Sequence, residues 1–280
     1  MKAAKILELD EVTFIEPLFS ALRDPLFTDL ITQSLADEGR LLLDEHEDPI
    51  AVAFHEPSGW IAASFLCRKP NRAIIERFEE VSGEIFQEDR AAWASAVREY
   101  FSIALMQDTS PAVEDLNPIR KSILTEVITA AWGKGSGETC LDCGCGSGVG
   151  SLVLREMGYL PLSYDNDPSL LARGLAEKRL LPDETMCIDA TAASAYLDPV
   201  PRGIGIMMGE INSFSEEMWH AIVGDFLSIA GECLITVGTQ DEARLVRDWG
   251  DDIQRPVEIR ESPGDVFYDR WVCIVHPPAK

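Results

Sequence analysis

One segment constrains the fold of this chain more than any other: Leu141-Asp142-Cys143-Gly144-Cys145-Gly146-Ser147-Gly148-Val149-Gly150. The apolar run before it, residues 139–143, reads as a short buried strand. The residues after it, 148–157, carry helical spacing. Strand, glycine turn and helix in that order let the backbone approach a ligand with no Cβ in between. The first amides of such a helix have no partner within it and face an anionic or polar group. Glycines this dense weaken a helix start, so a purely structural turn explains them poorly.

Around this turn the pattern alternates. Strands are expected over 139–143, 160–164, 185–188, 203–208 and 233–237. Helices are expected over 148–157, 168–178, 216–230 and 241–249, with Asp167 capping the second. Pro161 is the residue least suited to its strand. Residues 257–260 and 271–275 read as a hairpin with Pro263-Gly264-Asp265 in its turn. Alternating strands and helices predict an α/β fold, a mainly parallel sheet with helices on both faces. The hairpin adds antiparallel strands at one edge, for seven in all.

Upstream the chain reads differently. Up to about residue 115 it looks mostly helical. Apolar residues recur at helical spacing in 73–81 (Ile74, Ile75, Phe78, Val81) and in 89–101 (Trp93, Val97, Tyr100). The run Pro49-Ile50-Ala51-Val52-Ala53-Phe54 fits helix or strand equally. Gln107-Asp108-Thr109-Ser110-Pro111 carries turn formers and reads as a linker. Asn117-Pro118 then starts a helix that runs to about Trp132. Two domains follow, 1–115 and 116–280. The first would cap the strand ends and shape an acceptor pocket, or serve as an oligomerisation lobe. Periodicity assigns Trp60, Trp93, Tyr100 and Phe101 to its core.

Lys and Arg number 24 and Asp and Glu 48, a formal charge of −24. A surface so acidic repels phosphate backbones and anionic membranes, so neither is expected as the main partner. No apolar run is long enough to span a bilayer. The first ten residues carry acidic groups where a signal peptide needs an apolar core. Seven cysteines, an odd number at irregular spacing, fit a reducing, cytoplasmic compartment.

Three carboxylates fall at expected strand ends: Asp142, Asp165 and Asp189. In an open α/β sheet these ends face the ligand crevice. Asp165 lies roughly 20 residues past the glycines, where a carboxylate accepts the hydroxyls of a ribose. Two nucleotide cofactors suit this geometry. A dinucleotide would set its pyrophosphate against Asp142, which repels it. S-Adenosylmethionine has no phosphate and carries a sulfonium and an ammonium, which a carboxylate favours.

At these residues the sequence resembles the class I (Rossmann-like) S-adenosylmethionine-dependent methyltransferases. Residues 141–148 look like the first motif of that superfamily nearly in full. The resemblance covers about residues 117 to 280, including the strand order and the final hairpin. It implies that Asp142 and the loop Gly144, Cys145, Gly146, Ser147 and Gly148 hold the methionine portion. It implies that Asp165, with Asn166, binds the ribose, and that Asp189 and Ala190 meet the adenine. Gly209, after the fourth strand, completes the expected cofactor-binding set.

That fourth strand ends in Met208-Gly209-Glu210-Ile211-Asn212-Ser213-Phe214. Enzymes of the superfamily that methylate amide or adenine amino groups carry Asn or Asp followed by Pro-Pro-Tyr or Pro-Pro-Phe here. This chain does not, which disfavours those acceptors. Glu210 is the expected catalytic candidate, as a general base or as the binder of a cationic substrate. Its alternative is a solvated loop carboxylate. His220 reads as an ordinary partly buried residue. Cys140, Cys143 and Cys145 lack a fourth ligand and alternate in facing along a strand, so they read as packing rather than as a metal site.

Three functions share these features. The first is a methyltransferase acting on a small molecule or a protein side chain. The second is a non-catalytic cofactor-binding subunit. The third is a nicotinamide-dependent oxidoreductase, which gives Asp142 no purpose.

Overall fold

In the computed structural model, which describes residues 1–114, 116–262, 264 and 268–278, the apolar runs near residues 41–43 and 50–54 are strands. The chain forms two compact units, Met1–Ala104 and Leu105–Lys280. The division falls before the expected linker because Leu105 and Met106 pack against Leu171, Leu175 and Leu180 of the second unit. In addition the amide of Ala112 donates to the carbonyl of Ser169.

The first unit contains α1 (Lys2–Ile6), β1 (Thr13–Phe14), α2 (Leu26–Thr32), β2 (Glu38–Leu43), β3 (Pro49–Glu56), β4 (Gly59–Ser64), α3 (Arg72–Glu80) and β5 (Ser82–Gln87), and most of α4 (Arg90–Asp108). Its core is a five-stranded mixed sheet in the order β1-β4-β3-β2-β5. The expectation of a mostly helical domain is therefore corrected. Strands covered on both faces read as unbroken apolar runs, so Leu41-Leu42-Leu43 and Ala51-Val52-Ala53-Phe54 show no alternation to betray them. Ile31 of α2 and Ile74 and Phe78 of α3 pack onto Leu41, Val52 and Phe54 of the sheet. Trp93 of α4 is fully buried, and its indole donates to the Ser64 hydroxyl. The carboxylate of Glu16 and the guanidinium of Arg68 form a buried ion pair.

The second unit follows the expected alternation closely. It contains α5 (Pro118–Ala131), β6 (Thr139–Cys143), α6 (Val149–Glu156), β7 (Leu160–Asp165), α7 (Pro168–Ala176), β8 (Thr185–Cys187), β9 (Val200–Gly205), α8 (Glu216–Ile229), β10 (Ala230–Val237), α9 (Gln240–Asp252), β11 (Val257–Glu261) and β12 (Trp271–Val275). The seven strands lie in the order β11-β12-β10-β9-β6-β7-β8. β12 runs antiparallel to both β10 and β11, and the other pairings are parallel. This is a Rossmann-like α/β sheet with an antiparallel hairpin at one edge. Of the expected hairpin turn, Pro263 and Asp265 lie outside the described residues.

Local chemistry sets the element ends. Asn117 caps α5 by accepting from the Ile119 amide, with Pro118 at the first helical position. Asp167 caps α7 by accepting from the Ser169 and Leu170 amides. Pro161 is tolerated because β8 pairs only with residues 163–165 of β7, so no ladder bond is lost at the proline. β9 ends at Gly205, earlier than expected, and the next residues turn away.

Candidate functional site

The strand order reverses between β6 and β9: β7 and β8 build out on one side of β6, and β9 and β10 on the other. Ligands of open α/β sheets bind at this switch, beyond the carboxyl ends of the strands. A cleft of about 670 Å³ opens there, and Asp142, Gly144, Cys145, Gly146, Ser147 and Asp165 form part of its wall. A second cleft of about 270 Å³ adjoins it, walled in part by Gly144, Asp165, Asn166, Asp189 and Ala190. Gly144, Asp165, Ile206 and Met207 belong to both.

The glycine turn is built for close approach. Gly144 and Gly146 have φ of +64° and +52°, and no atom lies within 4 Å of where a Cβ would stand on either. The empty space beside them is a cradle that side chains would fill. Gly148 also has positive φ, but its Cβ would strike Leu180 at 2.6 Å, and Gly148 lines neither cleft. Its need for glycine is packing. The Cys145 amide donates to the Tyr164 carbonyl at 3.0 Å, pinning the turn to β7.

Asp165 stands where the clefts meet. Its Oδ2 accepts from the Gly146 amide at 2.8 Å and its Oδ1 from the Asp167 amide at 2.9 Å. Burial pushes its carboxyl above the usual range, and these bonds oppose the rise. A carboxylate offers about four lone-pair sites, so both oxygens keep capacity for further donors.

Asp142 is 1% exposed. The Ser151 hydroxyl donates to its Oδ2 at 2.5 Å and lies 2.6 Å from the Ser163 hydroxyl. Burial pushes the Asp142 carboxyl up to about 7, with the Ser151 bonds and Arg120 opposing. Asp142 therefore anchors the start of α6 from beneath the turn as well as lining the cleft. On the far side, Oδ1 of Asp189 accepts from the amide and hydroxyl of Thr191, both at 2.8 Å.

Three expected site residues are not brought to the clefts: Gly148, described above, and two residues after β9. Gly209 and Glu210 line neither. Because β9 stops at Gly205, Ile206 and Met207 take the strand-end position, and Glu210 lies exposed on the following loop. Glu242 holds that loop instead: its Oε1 accepts from the Ile211 amide, and its Oε2 from the amide and hydroxyl of Thr239. His220 is exposed, with its ring 5.3 Å from that of Trp249. Cys140, Cys143 and Cys145 are buried free thiols, pushed up by burial.

Sequence reasoning missed Arg120, which lines the larger cleft, and the residues that hold it. Arg120, in the first turn of α5, lines the larger cleft and pairs through Nε with Oδ2 of Asp269 at 2.9 Å. Asp269 is fully buried, and its Oδ1 accepts from the Thr236 hydroxyl at 2.5 Å. The amide of Met207 in turn donates to that hydroxyl at 2.7 Å. Met207 holds a φ of +59°, a sparsely populated conformation for a residue with a side chain, at the edge shared by both clefts. The Asn117-Pro118 cap was a signal for Arg120, because it fixes which residues occupy the first helical turn. No comparable signal marks Asp269.

Neither a protein family nor a curated protein sequence matches the chain. Solved structures resemble it. The magnesium protoporphyrin IX methyltransferase of Synechocystis PCC 6803, with bound SAM, aligns at 15% identity and a TM-score of 0.47, over 65% of this chain and 96% of that one. The precorrin-6y C5,15-methyltransferase of Geobacter metallireducens GS-15 aligns at 13% and 0.44, over 62% and 95%. An rRNA methylase of Streptococcus thermophilus aligns at 13% and 0.41, over 60% and 100%. At this level of similarity the likenesses assign no activity, and the functional reading rests on the residues of the site. The mainly parallel sheet with the β11–β12 hairpin at one edge is what the sequence leads us to expect. Among the described residues, no helix is long and apolar enough to cross a membrane.

Proposed function

We propose that the second unit binds S-adenosylmethionine and transfers its methyl group to an acceptor. The observation that carries this reading is the position of Asp165, a carboxylate on the shared wall of two adjoining clefts and bonded to the glycine cradle. In this assignment Asp165 takes the ribose hydroxyls. The larger cleft takes the methionine portion against Gly144, Gly146 and Asp142. The smaller takes the adenine beside Asn166, Asp189 and Ala190.

When bound, this cofactor supplies a methyl group on a sulfonium, whose positive charge disappears as the methyl leaves. The residues need only orient the partners in line and keep water out, and orientation carries much of such a rate enhancement. Carboxylates outnumber cations here: Arg120 is the one cationic side chain among the described residues of the two cleft walls. That balance suits a sulfonium and an ammonium better than a pyrophosphate. Ile119 and Tyr268, apolar, exposed and on the wall of the larger cleft, favour an acceptor with an apolar body, either a small molecule or a protein side chain. Glu210, outside both clefts, has no part in this reading.

The test is transfer of a tritiated methyl group from S-adenosylmethionine to the separated small-molecule and protein fractions of a cell extract. Label that enters one fraction, and is lost in Asp165→Ala, supports the reading. Cofactor binding with no label in either fraction favours a non-catalytic binding subunit instead.

A further inference from the structure

We propose that Arg120 is the carboxylate-binding residue of the larger cleft, holding the α-carboxylate of the cofactor's amino-acid portion while Asp269 positions it. The inference rests on the cofactor reading above. Arg120 donates to Asp269 through Nε alone. Its two Nη groups make no hydrogen bond among the described residues, although its side chain lines the cleft and is only 25% exposed. A guanidinium held by one edge presents the other as a fork that matches a carboxylate. The fork is fixed from behind. Asp269 is fully buried and uses its second oxygen on Thr236, which also receives the Met207 amide. The guanidinium is thereby tied, through three residues, to the backbone at the junction of the two clefts. Asp142 lies within electrostatic reach of Arg120 on the same wall system. One carboxylate and one guanidinium lining the same cleft are what a zwitterionic amino acid requires.

The experiment is calorimetric titration of the full chain with S-adenosylhomocysteine and with 5′-methylthioadenosine, which lacks both the ammonium and the carboxylate. Wild type, Arg120→Ala, Arg120→Gln and Asp269→Asn are compared, each first checked for folding by circular dichroism. Arg120→Ala is expected to weaken S-adenosylhomocysteine about 10- to 100-fold, the effect of losing a charge-assisted pair. It should leave 5′-methylthioadenosine within about twofold, because that ligand offers the arginine no carboxylate. Removing a cation cannot weaken an ammonium, so a selective loss reports the carboxylate. Asp269→Asn should show the same selectivity with a smaller loss. Equal weakening of both ligands would mean a structural role and overturn the proposal, as would unchanged S-adenosylhomocysteine affinity in folded Arg120→Ala or Arg120→Gln. If wild type binds 5′-methylthioadenosine but not S-adenosylhomocysteine, the carboxylate site is refuted while an adenosine site stands. If wild type binds neither, the cofactor reading itself fails.

Discussion

Oδ2 of Asp165 accepts a hydrogen bond from the Gly146 amide at 2.8 Å, which ties the end of β7 to the glycine turn after β6. One carboxylate thus shapes the cradle and remains available to a ligand. Asp165→Ala should lower affinity for S-adenosylhomocysteine by about 1–3 kcal/mol, measured by calorimetry, because a half-buried carboxylate acceptor is lost. Unchanged affinity in a folded variant would remove Asp165 from the site.

The glycines of the turn separate by role. Gly144→Ala places a methyl group in open cleft space at positive φ. Its stability cost should be about 1–2 kcal/mol, from the backbone alone, with a clear loss of ligand affinity. Gly148→Ala drives a Cβ into Leu180 and should lose more stability than Gly144→Ala. Thermal denaturation and calorimetry on both variants distinguish the two. Equal stability losses would contradict the division.

Asp142 should leave a signature in the pH dependence of stability. Its carboxyl is raised from 3.8 to about 7 by burial. A folded-state value above the unfolded one means that the native state holds the proton more tightly, so stability falls as pH rises from about 4 to about 7. The loss from this group is on the order of 4 kcal/mol, reduced by any relaxation around it. Asp142→Asn, which still accepts from Ser151, should lack this component and gain on wild type as pH rises across that window. Parallel pH profiles for the two proteins would show that Asp142 ionises normally.

The second unit was legible because its signals are local. Asn117 and Asp167 cap their helices as their residue types require, and the glycine turn sits between strand and helix where its composition puts it. The first unit was not, because Leu41-Leu42 and Ile50-Ala51-Val52-Ala53-Phe54 are buried, Leu43 is partly buried, and the runs lack the alternation that marks a strand. The cleft wall from Asp142 to Ala190 came from residues on strand ends. The Arg120–Asp269 pair joins residues far apart in sequence through tertiary packing, which no periodicity encodes. Glu210 lies outside the clefts because β9 ends at Gly205, a few residues earlier than expected, which sets Ile206 and Met207 at the strand end.

Glu242 anchors the loop after β9. Its buried carboxylate caps α9 through Thr239 and accepts from the Ile211 amide. Glu242→Ala should cost about 1–3 kcal/mol, because it removes both a cap and a loop tether. Hydrogen exchange at the Ile211 amide should accelerate by at least about tenfold, the factor that corresponds to roughly 1.4 kcal/mol. Exchange at wild-type rate would show that the loop is held by other contacts.

The central claim is that the paired clefts take S-adenosylmethionine rather than a nicotinamide dinucleotide. It is tested most directly by calorimetric titration of the purified protein with S-adenosylhomocysteine and, separately, with NAD. The account predicts micromolar binding of the first, about −8 kcal/mol, and no heat from the second. Binding of the dinucleotide alone would contradict it, and would make Asp142, beneath the glycine turn, the residue that needs a new explanation.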